Sequence, residues 1–180
     1  PEISLGSGLK EIYYSVDDQP QFTYYSPVAL TEGKHIVNYY STDNLSNTEC
    51  KQMLTLSIDG TPSETDFQSS EAFYNNLYVS DKSVFSFTAK DPISNDVASG
   101  IFKTEYSIDN SPYALYSTLY ALQEGKHIVG YYSIDNVENT ETQKIKSVWI
   151  DATPPVSNIS VGVPIYETQD KTYISEETLI

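Results

Sequence analysis

The chain has 180 residues, of which 39% are hydrophobic, and its formal net charge is −15. The 10 residues counted as Lys or Arg are all lysines, so the chain has no arginine to make bidentate hydrogen bonds with phosphate groups. Together with the negative net charge, this excludes nucleic acid as a partner. No apolar run approaches the roughly 20 residues of a membrane span, and the single cysteine, Cys50, excludes an intramolecular disulfide framework.

A long internal repeat organises the sequence. Residues 7–62 recur as residues 99–154 without a gap, and 27 of the 56 aligned positions are identical. The period of 92 residues (99 − 7 = 92) far exceeds the periods of about 20 to 50 that are typical of solenoids and propeller blades. We therefore expect each unit to be a domain with its own core.

The segments outside the repeated part are interpreted as opening strands. Residues 61–92 precede the second copy, and nothing comparable stands ahead of the first copy. The segment that begins at Thr153 starts like the one that begins at Thr61, and Tyr173–Ser175 resembles Tyr78–Ser80 when three residues are inserted. The chain thus contains the back of one unit, one whole unit and the front of a third.

These boundaries predict three parts. They are the C-terminal part of a unit in 1–60, a complete unit in 61–152, and the N-terminal strands of a further unit in 153–180. Because the chain begins with Pro1 and in the middle of a unit, we expect it to be a piece of a longer protein.

The predicted strands of the complete unit alternate with a period of two residues. They are SVFSFTAKD, IFKTEYSID, KHIVGYYSID and TQKIKSVWID, separated by the turn residues DNSP, EGK and DN. About six or seven short strands in such a unit, with no helical stretch, predict an all-β fold of antiparallel immunoglobulin-like sandwiches. A small closed barrel is the alternative.

Comparing the two copies indicates which face of a strand is buried, because a register slip of one residue would invert every side chain. The alternate positions that stay identical in the longest strand are His35, Val37, Tyr39 and Ser41 in the first copy and His127, Val129, Tyr131 and Ser133 in the second. This set is expected to face the core. In the last strand Val148 and Ile150 belong to the core, which leaves Trp149 on the opposite face.

The combined motif resembles a known family. It consists of Tyr-Ser-(Ile/Val)-Asp, then Leu-x-Glu-Gly-Lys-His-x-Val-x-Tyr-x-Ser-x-Asp-Asn, then Asn-Thr-Glu, and a closing Ile-Asp-x-Thr-Pro. The motif is similar to the tandem immunoglobulin-like repeats of large bacterial secreted and surface proteins, some of which carry an outer-membrane β-barrel name. The resemblance covers residues 7–62 and 99–155. It implies an extracellular or cell-surface spacer or adhesive array and no enzymatic activity.

The two histidines are expected to be structural. Each follows a Gly-Lys turn at the start of an inward-facing strand, where an imidazole can bond a neighbouring backbone group. The position resembles the tyrosine corner of sandwich folds, and we assign His35, His127, Tyr39 and Tyr131 to structural roles. Neither histidine has a cysteine, a second histidine or a Ser-His-Asp arrangement repeated beside it, so no catalytic residue is predicted.

The outward aromatic residues are the candidates for ligand binding. Each Tyr-Tyr pair puts one ring on each face of a strand, and Tyr40 and Tyr132 are the outward members of two such pairs. Outward tyrosines ordinarily pack across strands, but beside Asp and Asn they also suit sugar stacking. Trp149 is the best single candidate for a glycan or interdomain contact.

The acidic residues predict a calcium site between units. An immunoglobulin-like strand order brings two loops of the complete unit, with Asp91, Asp96 and Asp135, to the end where the chain enters from Asp59. Converging carboxylates repel one another, and Ca²⁺ with its oxygen ligands would relieve that repulsion. The other interpretation is that these are solvated turn residues with no metal or cofactor bound.

Two functions are open on the sequence alone. The first is a non-catalytic spacer or adhesive segment of an exported array, whose partners are the neighbouring repeats and a cell-surface glycan or protein. The alternative is a carbohydrate-binding accessory module of a secreted polysaccharide-degrading enzyme. One flat strip of exposed aromatic rings favours the second, and scattered rings favour the first.

Overall fold

The computed structural model describes residues 6–118 and 121–179. Within these residues the chain forms β-strands and no helix, and hence no helix that could span a membrane. The strands in chain order are β1 (Leu9–Val16), β2 (Phe22–Thr23), β3 (Gly33–Asp43), β4 (Gln52–Ile58), β5 (Glu64–Ser69), β6 (Tyr78–Ser80), β7 (Phe85–Lys90), β8 (Ile101–Ile108), β9 (Ala114–Leu115), β10 (Gly125–Asp135), β11 (Lys144–Asp151), β12 (Ile165–Glu167) and β13 (Thr172–Ile174). The predicted all-β class is confirmed.

The first repeat copy forms one antiparallel sheet in the order β2-β1-β3-β4. Strands β1 and β3 place Tyr13 opposite Tyr40 and Tyr14 opposite Tyr39. Because successive side chains point to opposite faces, the Tyr13 and Tyr40 rings share one face, where their centroids lie 5.2 Å apart. Tyr14 and Tyr39 lie on the other face, among aliphatic side chains.

The second repeat copy and the segment before it form two sheets that share a core. Strands β5 and β7 pair antiparallel, and the larger sheet has the order β6-β11-β10-β8-β9. The buried hydrophobic residues between the sheets are Val79, Phe85, Phe87, Val129, Tyr131, Val148 and Ile150. Two separate sheets around one core make a β-sandwich, so in this part of the described chain the barrel alternative is wrong.

Aromatic rings fill the centre of this sandwich. The Phe67 ring of β5 stacks on the Phe85 ring at 5.3 Å and lies 6.0 Å from the Tyr131 ring of the larger sheet. The Phe87 ring lies 5.0 Å from the Tyr131 ring. Each such ring buries a large apolar area, so the smaller sheet is held mainly by contacts between these rings.

Three of the four inward-facing positions inferred from the repeat are buried in the sandwich, and the fourth, His127, is half-buried at the start of β10. Val129 and Ser133 are fully buried, and Tyr131 is 8% exposed. Tyr39, the counterpart of Tyr131, is 41% exposed. The reason is that, among the described residues, no second sheet covers the corresponding face of the first copy.

One strand pair departs from the antiparallel arrangement. Strand β6 pairs parallel to β11, with Val79 opposite Ile150. A parallel pair needs a long connection between its strands, and β7 to β10 lie between these two along the chain. Local periodicity carries no information about such a pair, because the pairing joins distant segments.

The last segment forms a small hairpin. Strands β12 and β13 pair antiparallel, with Tyr166 opposite Tyr173. Most of its side chains are exposed, including Val156 at 86% and Ile159 at 80%. The division of the chain at residues 60 and 152 stays a prediction, and its outer ends, residues 1–5 and 180, lie outside the described residues.

Candidate functional site at the repeat junction

Asp59 ties the first repeat copy to the sandwich that follows. It comes directly after β4, and its Oδ2 accepts a hydrogen bond from the backbone N–H of Ser99 at 2.6 Å. Its Oδ1 accepts from the N–H of Thr61 at 3.1 Å, which closes the linker into a tight turn. One carboxylate therefore bonds its own linker and a loop of the next unit.

Thr61 holds the same linker from the other side. Its hydroxyl donates to Glu32 Oε1 at 2.6 Å, in the turn that precedes β3. The turn and the linker of the first copy are thereby joined to each other. The adjacent Pro62 restricts both its own backbone and that of Thr61, so the linker has little freedom.

Asp91 approaches the same point from the end of β7. Its Oδ2 accepts a hydrogen bond from the N–H of Gly100 at 2.6 Å. Its Oδ1 is buried and, among the described residues, has no hydrogen-bond partner. A buried carboxylate oxygen without a partner is costly, because it has lost water and gained nothing.

Asp135, at the end of β10, is fully buried. Its Oδ1 accepts from the N–H groups of Val137 at 3.0 Å and Asn139 at 2.8 Å, and its Oδ2 accepts from Asn139 Nδ2 at 2.8 Å. The same Nδ2 also donates to the backbone oxygen of Asp59 at 3.1 Å. Asn139 thus connects the carboxylate to the incoming linker.

The three carboxylates meet. One oxygen from each of Asp59, Asp91 and Asp135 lies within 4.8 Å of the others. Asp96, the fourth residue expected there, is exposed and is not part of this group. It belongs to the tight turn in which the N–H groups of Ser94 and Val97 each bond the carbonyl of the other at 2.9 Å, and this turn keeps Asp96 apart from the cluster.

The charge state of Asp59 follows from its hydrogen bonds. Burial by itself would raise the pKa of Asp59, but the bonds from Ser99 and Thr61 outweigh it, so the pKa lies below its ordinary value of 3.8. The carboxylate is therefore negative at neutral pH. The cluster consists of hard oxygen donors, the ligands that Ca²⁺ prefers, and one of its members, Asp91, carries an oxygen that accepts no hydrogen bond from the described residues.

The histidines lie outside this cluster, in one arrangement repeated in both copies. His127 Nδ1 lies 2.8 Å from Asp109 Oδ2, and Nε2 lies 2.9 Å from the carbonyl oxygen of Gln123. His35 has the equivalent contacts, to Asp17 at 2.9 Å and Thr31 at 3.0 Å. Both ring nitrogens donate to acceptors, so neither is free to take a proton from a substrate.

The aromatic candidates are separated from one another. Tyr132 bonds Glu105, and Tyr40 bonds Gln21 at 2.9 Å in the other copy. Trp149 is 38% exposed and lies opposite Lys126, six residues along β10 from Tyr132 (132 − 126 = 6). These three side chains therefore do not form one surface.

Trp149 instead neighbours two tyrosines that were not predicted as site residues from the sequence. Its ring centroid lies 5.6 Å from that of Tyr78, and Tyr78 lies 6.5 Å from Tyr74. Successive planes are tilted by 54° and 50°, so the rings do not form a flat strip. Tyr78 belongs to β6, whose pairing with β11 was not predictable from periodicity.

Ser99 and Asn139, which complete the junction, were not among the site residues predicted from the sequence. Both are identical at the equivalent positions of the first copy, Ser7 and Asn47. Asn47 Nδ2 donates to Asp43 Oδ2 at 2.8 Å, as Asn139 Nδ2 does to Asp135 Oδ2. Their identity in both copies was the signal that could have identified them.

Among known proteins, similarity to this chain is found only at the level of solved structures. No protein-family model matches the chain, and no curated protein matches it. A solved structure described as "Structures of Clostridium thermocellum CbhA fibronectin(III)-like modules" is similar at 9% identity and a TM-score of 0.41, over 83% of this chain and 82% of that one. A similarity of this degree says nothing about binding or activity.

Proposed function

We propose that this chain is a non-catalytic spacer segment of a large bacterial extracellular or cell-surface protein, in which immunoglobulin-like units follow one another in line. The observation that carries the proposal is the junction at Asp59. Its side chain accepts the Ser99 N–H, and its backbone oxygen accepts from Asn139. A spacer needs units held at a fixed angle, and these bonds join the linker to two loops of the following unit.

The same junction is prepared again one repeat later. The N–H of Thr153 donates to Asp151 Oδ1 at 3.1 Å, and the Thr153 hydroxyl bonds Glu124. These contacts reproduce those of Thr61 with Asp59 and Glu32. A junction that recurs with the repeat supports an array of similarly oriented units, with neighbouring repeats as the main partners.

Calcium is the cation that this junction suits. Asp59, Asp91 and Asp135 supply carboxylate oxygens only, and Asp91 Oδ1 has no competing hydrogen bond among the described residues. Ca²⁺ takes about six to eight oxygen ligands at flexible geometry, so backbone oxygens and water would complete its shell. Binding would neutralise the carboxylates of both units together and stiffen the junction.

The carbohydrate-binding alternative has less support. A flat strip of exposed rings is the feature that favours it, whereas Tyr74, Tyr78 and Trp149 are tilted against one another. Tyr40 and Tyr132 lie elsewhere and use their hydroxyls in internal hydrogen bonds. We therefore retain the spacer as the proposed function.

The rigidity of the junction is tested by a distance measurement between the units. Cys50 is exposed in the first copy, and Ile145, 73% exposed, is replaced by cysteine in the sandwich. With spin labels at both sites and chelator present, we expect a narrow distance distribution in dilute solution. Asp59→Ala is expected to broaden it, because the bond to Ser99 is lost.

Asp151→Ala is the matched control, since Asp151 is the counterpart of Asp59 in the next linker and lies outside the measured junction. It should leave the distribution unchanged. If Asp59→Ala gives the same narrow distribution as the parent chain, Asp59 does not fix the angle between units and the spacer proposal loses its main support.

Calcium binding is tested separately by thermal melts with millimolar Ca²⁺ and with chelator. We expect Ca²⁺ to raise the melting temperature of the parent chain, because it binds the folded state only. Asp91→Asn should abolish this increase, whereas Asp96→Asn, outside the cluster, should retain it. Equal melting temperatures with Ca²⁺ and with chelator for the parent chain would show that the junction is held without metal.

A further inference from the structure

Three neighbouring aromatic side chains, Tyr74, Tyr78 and Trp149, lie exposed on the sandwich, and we call them the aromatic row. The row lies where the edge strand β6 pairs with β11, with Tyr78 opposite Trp149. Tyr74, Tyr78 and Trp149 are 71%, 36% and 38% exposed. Burying large rings is favourable, so a group of them left side by side in water indicates a binding surface.

The backbone of the aromatic row is held by hydrogen bonds. Tyr74 and Tyr78 each donate their backbone N–H to the carbonyl oxygen of the other, at 2.8 and 2.9 Å. Two asparagines between them have positive φ values of 50° and 56°, a conformation that asparagine tolerates in tight turns. The N–H of Trp149 donates to the carbonyl oxygen of Leu77 at 2.9 Å. The backbone that carries the rings is thus fixed before a ligand binds, which lowers the entropy cost of binding.

Two small clefts flank the Tyr78 ring. One cleft, of about 290 Å³, is lined by Tyr78 and Tyr74, and the other, of about 270 Å³, is lined by Tyr78 and Trp149. Asp151 borders both clefts, and Glu124 borders the second. The face of an aromatic ring carries negative electrostatic potential. Aromatic faces beside carboxylates therefore favour a positively charged ligand.

The contact of Lys126 with this surface narrows the class of cation. Lys126 Nζ lies 5.9 Å from the Trp149 ring centroid, within the about 6 Å over which a ring attracts a cation. A lysine ammonium is strongly hydrated, whereas a trimethylammonium group has an apolar surface and gives up little water when it packs on rings. The planes in the row are tilted by 54° and 50°, so they suit a compact, rounded group better than a flat one.

The aromatic row stays accessible when another unit follows. Ser57 is the counterpart of Trp149 one period earlier (149 − 57 = 92), and it is exposed although the sandwich follows the first copy. Asp59, the counterpart of Asp151, bonds the following unit, and its pKa is lowered by the bonds from Ser99 and Thr61. A following unit therefore leaves both the ring position and the negative charge in place.

We propose that the aromatic row binds a small organic cation that carries a trimethylammonium group, with choline as the probe. The trimethylammonium group lies against Tyr78 between the two clefts, and the carboxylates of Glu124 and Asp151 supply the opposite charge. The net charge of −15 adds attraction at long range. Glycine betaine carries the same group beside its own carboxylate, which the acidic surface repels, so it binds more weakly.

The fluorescence of Trp149 tests the proposal, because Trp149 is the only tryptophan of the chain. Titration with choline chloride should change its emission saturably, whereas sodium chloride at equal ionic strength should not, and glycine betaine should bind more weakly than choline. Tyr78→Ala should weaken choline binding about tenfold, since a main cation–π contact is lost. Tyr25→Ala, at an 87% exposed tyrosine of the first copy, is the matched control and should bind like the parent chain.

Lys126→Met distinguishes a cation site from a general apolar surface. Lys126 is exposed, so the variant is expected to fold like the parent chain. Its loss removes a like charge and a competitor for the Trp149 ring, so choline should bind several-fold more tightly. No saturable response of the parent chain to choline, equal binding of choline and glycine betaine, or weaker binding by Lys126→Met would each overturn the proposal. The spacer function is tested separately at the junction and does not depend on these outcomes.

Discussion

At the scale of single residues, the two histidine sites show a charge arrangement that both repeat copies share. Burial by itself would lower the pKa of His127, but its bonds to Asp109 and Gln123 outweigh burial and raise the pKa above 6.5. The pKa of Asp109 is lowered by the bond from the Ile128 N–H and by His127. Each pair therefore favours an ion pair between a protonated imidazole and a negatively charged carboxylate.

This charge state gives the first stability prediction. His127→Ala should lower the free energy of unfolding by about 1 kcal/mol. This is the lower end of the roughly 1 to 3 kcal/mol that the loss of a buried hydrogen bond costs, because the pair is partly exposed. The pKa of His127 in the folded state lies above the unfolded value of 6.5, so the histidine contributes its full stabilisation below pH 6.5. This contribution is lost as the pH rises through the raised pKa. The difference between variant and parent should therefore shrink from pH 6 toward pH 9.

Urea melts of both chains across this pH range measure the difference. Lys126→Ala, a change at the exposed neighbouring residue, is the control and should keep the pH dependence of the parent chain. A difference between His127→Ala and the parent that stays constant with pH would show that the imidazole contributes by packing and not by charge.

At the scale of elements, Glu141 joins the two sheets of the sandwich. It is 7% exposed, accepts N–H groups from β5 and β10, and pairs with Lys144 at 2.6 Å. Lys144 also donates to the carbonyl oxygen of Thr65 at 2.8 Å. Glu49 has the same place in the first copy but is exposed, because the second sheet is absent there from the described residues.

Glu141→Gln should therefore lower the free energy of unfolding by about 2 kcal/mol, since an amide can accept only one of the two N–H groups well and cannot pair with Lys144. Burial alone would raise the pKa of Glu141, but the bonds from Lys144, Thr65 and Ser133 hold it below 4.5. Its stabilisation is present above pH 4.5 and is lost as the pH falls through the lowered pKa.

Thermal melts at neutral pH compare Glu141→Gln with Glu49→Gln. The second variant is the matched control and should melt like the parent chain. Equal effects of the two substitutions would contradict the assignment of Glu141 as the bridge between the sheets.

At the scale of the whole molecule, the described parts of the chain differ in whether the apolar face of each sheet is covered by a second sheet. Residues 64–151 hold two sheets and the buried core between them, whereas the first copy holds one sheet whose apolar face is not covered by a second sheet within the described residues. A single sheet has no second layer to bury its apolar side chains and is marginal by itself. In the 180-residue chain the junction at Asp59 holds this sheet against the sandwich.

The isolated fragments 61–152 and 1–60 should accordingly behave differently. The first is expected to melt cooperatively as an all-β domain, and the second to show no cooperative transition. Circular dichroism melts of the two fragments measure this directly. A cooperative transition of 1–60 alone would mean that the unit boundaries are drawn in the wrong place.

The sequence by itself determined the all-β class, the main strands and the buried parity in β10 and β11. The reason is that a two-residue alternation and turn residues such as Asp135-Asn136 are local properties, and the internal repeat separates core positions from tolerant ones. It also placed Asp59, Asp91 and Asp135 at the same end of the fold, because an immunoglobulin-like strand order groups loops.

Only the tertiary structure decided which carboxylates lie close together and which groups donate hydrogen bonds to them. Asp91 belongs to the cluster and Asp96 does not, because the short turn between Ser94 and Val97 carries Asp96 away from it. No residue pattern specifies the path of this turn. The parallel pairing of β6 with β11 depends on contacts between distant segments. The exposure of Tyr39 against the burial of Tyr131 depends on whether a second sheet is present, since identical residues in identical strands are buried only where another layer excludes water.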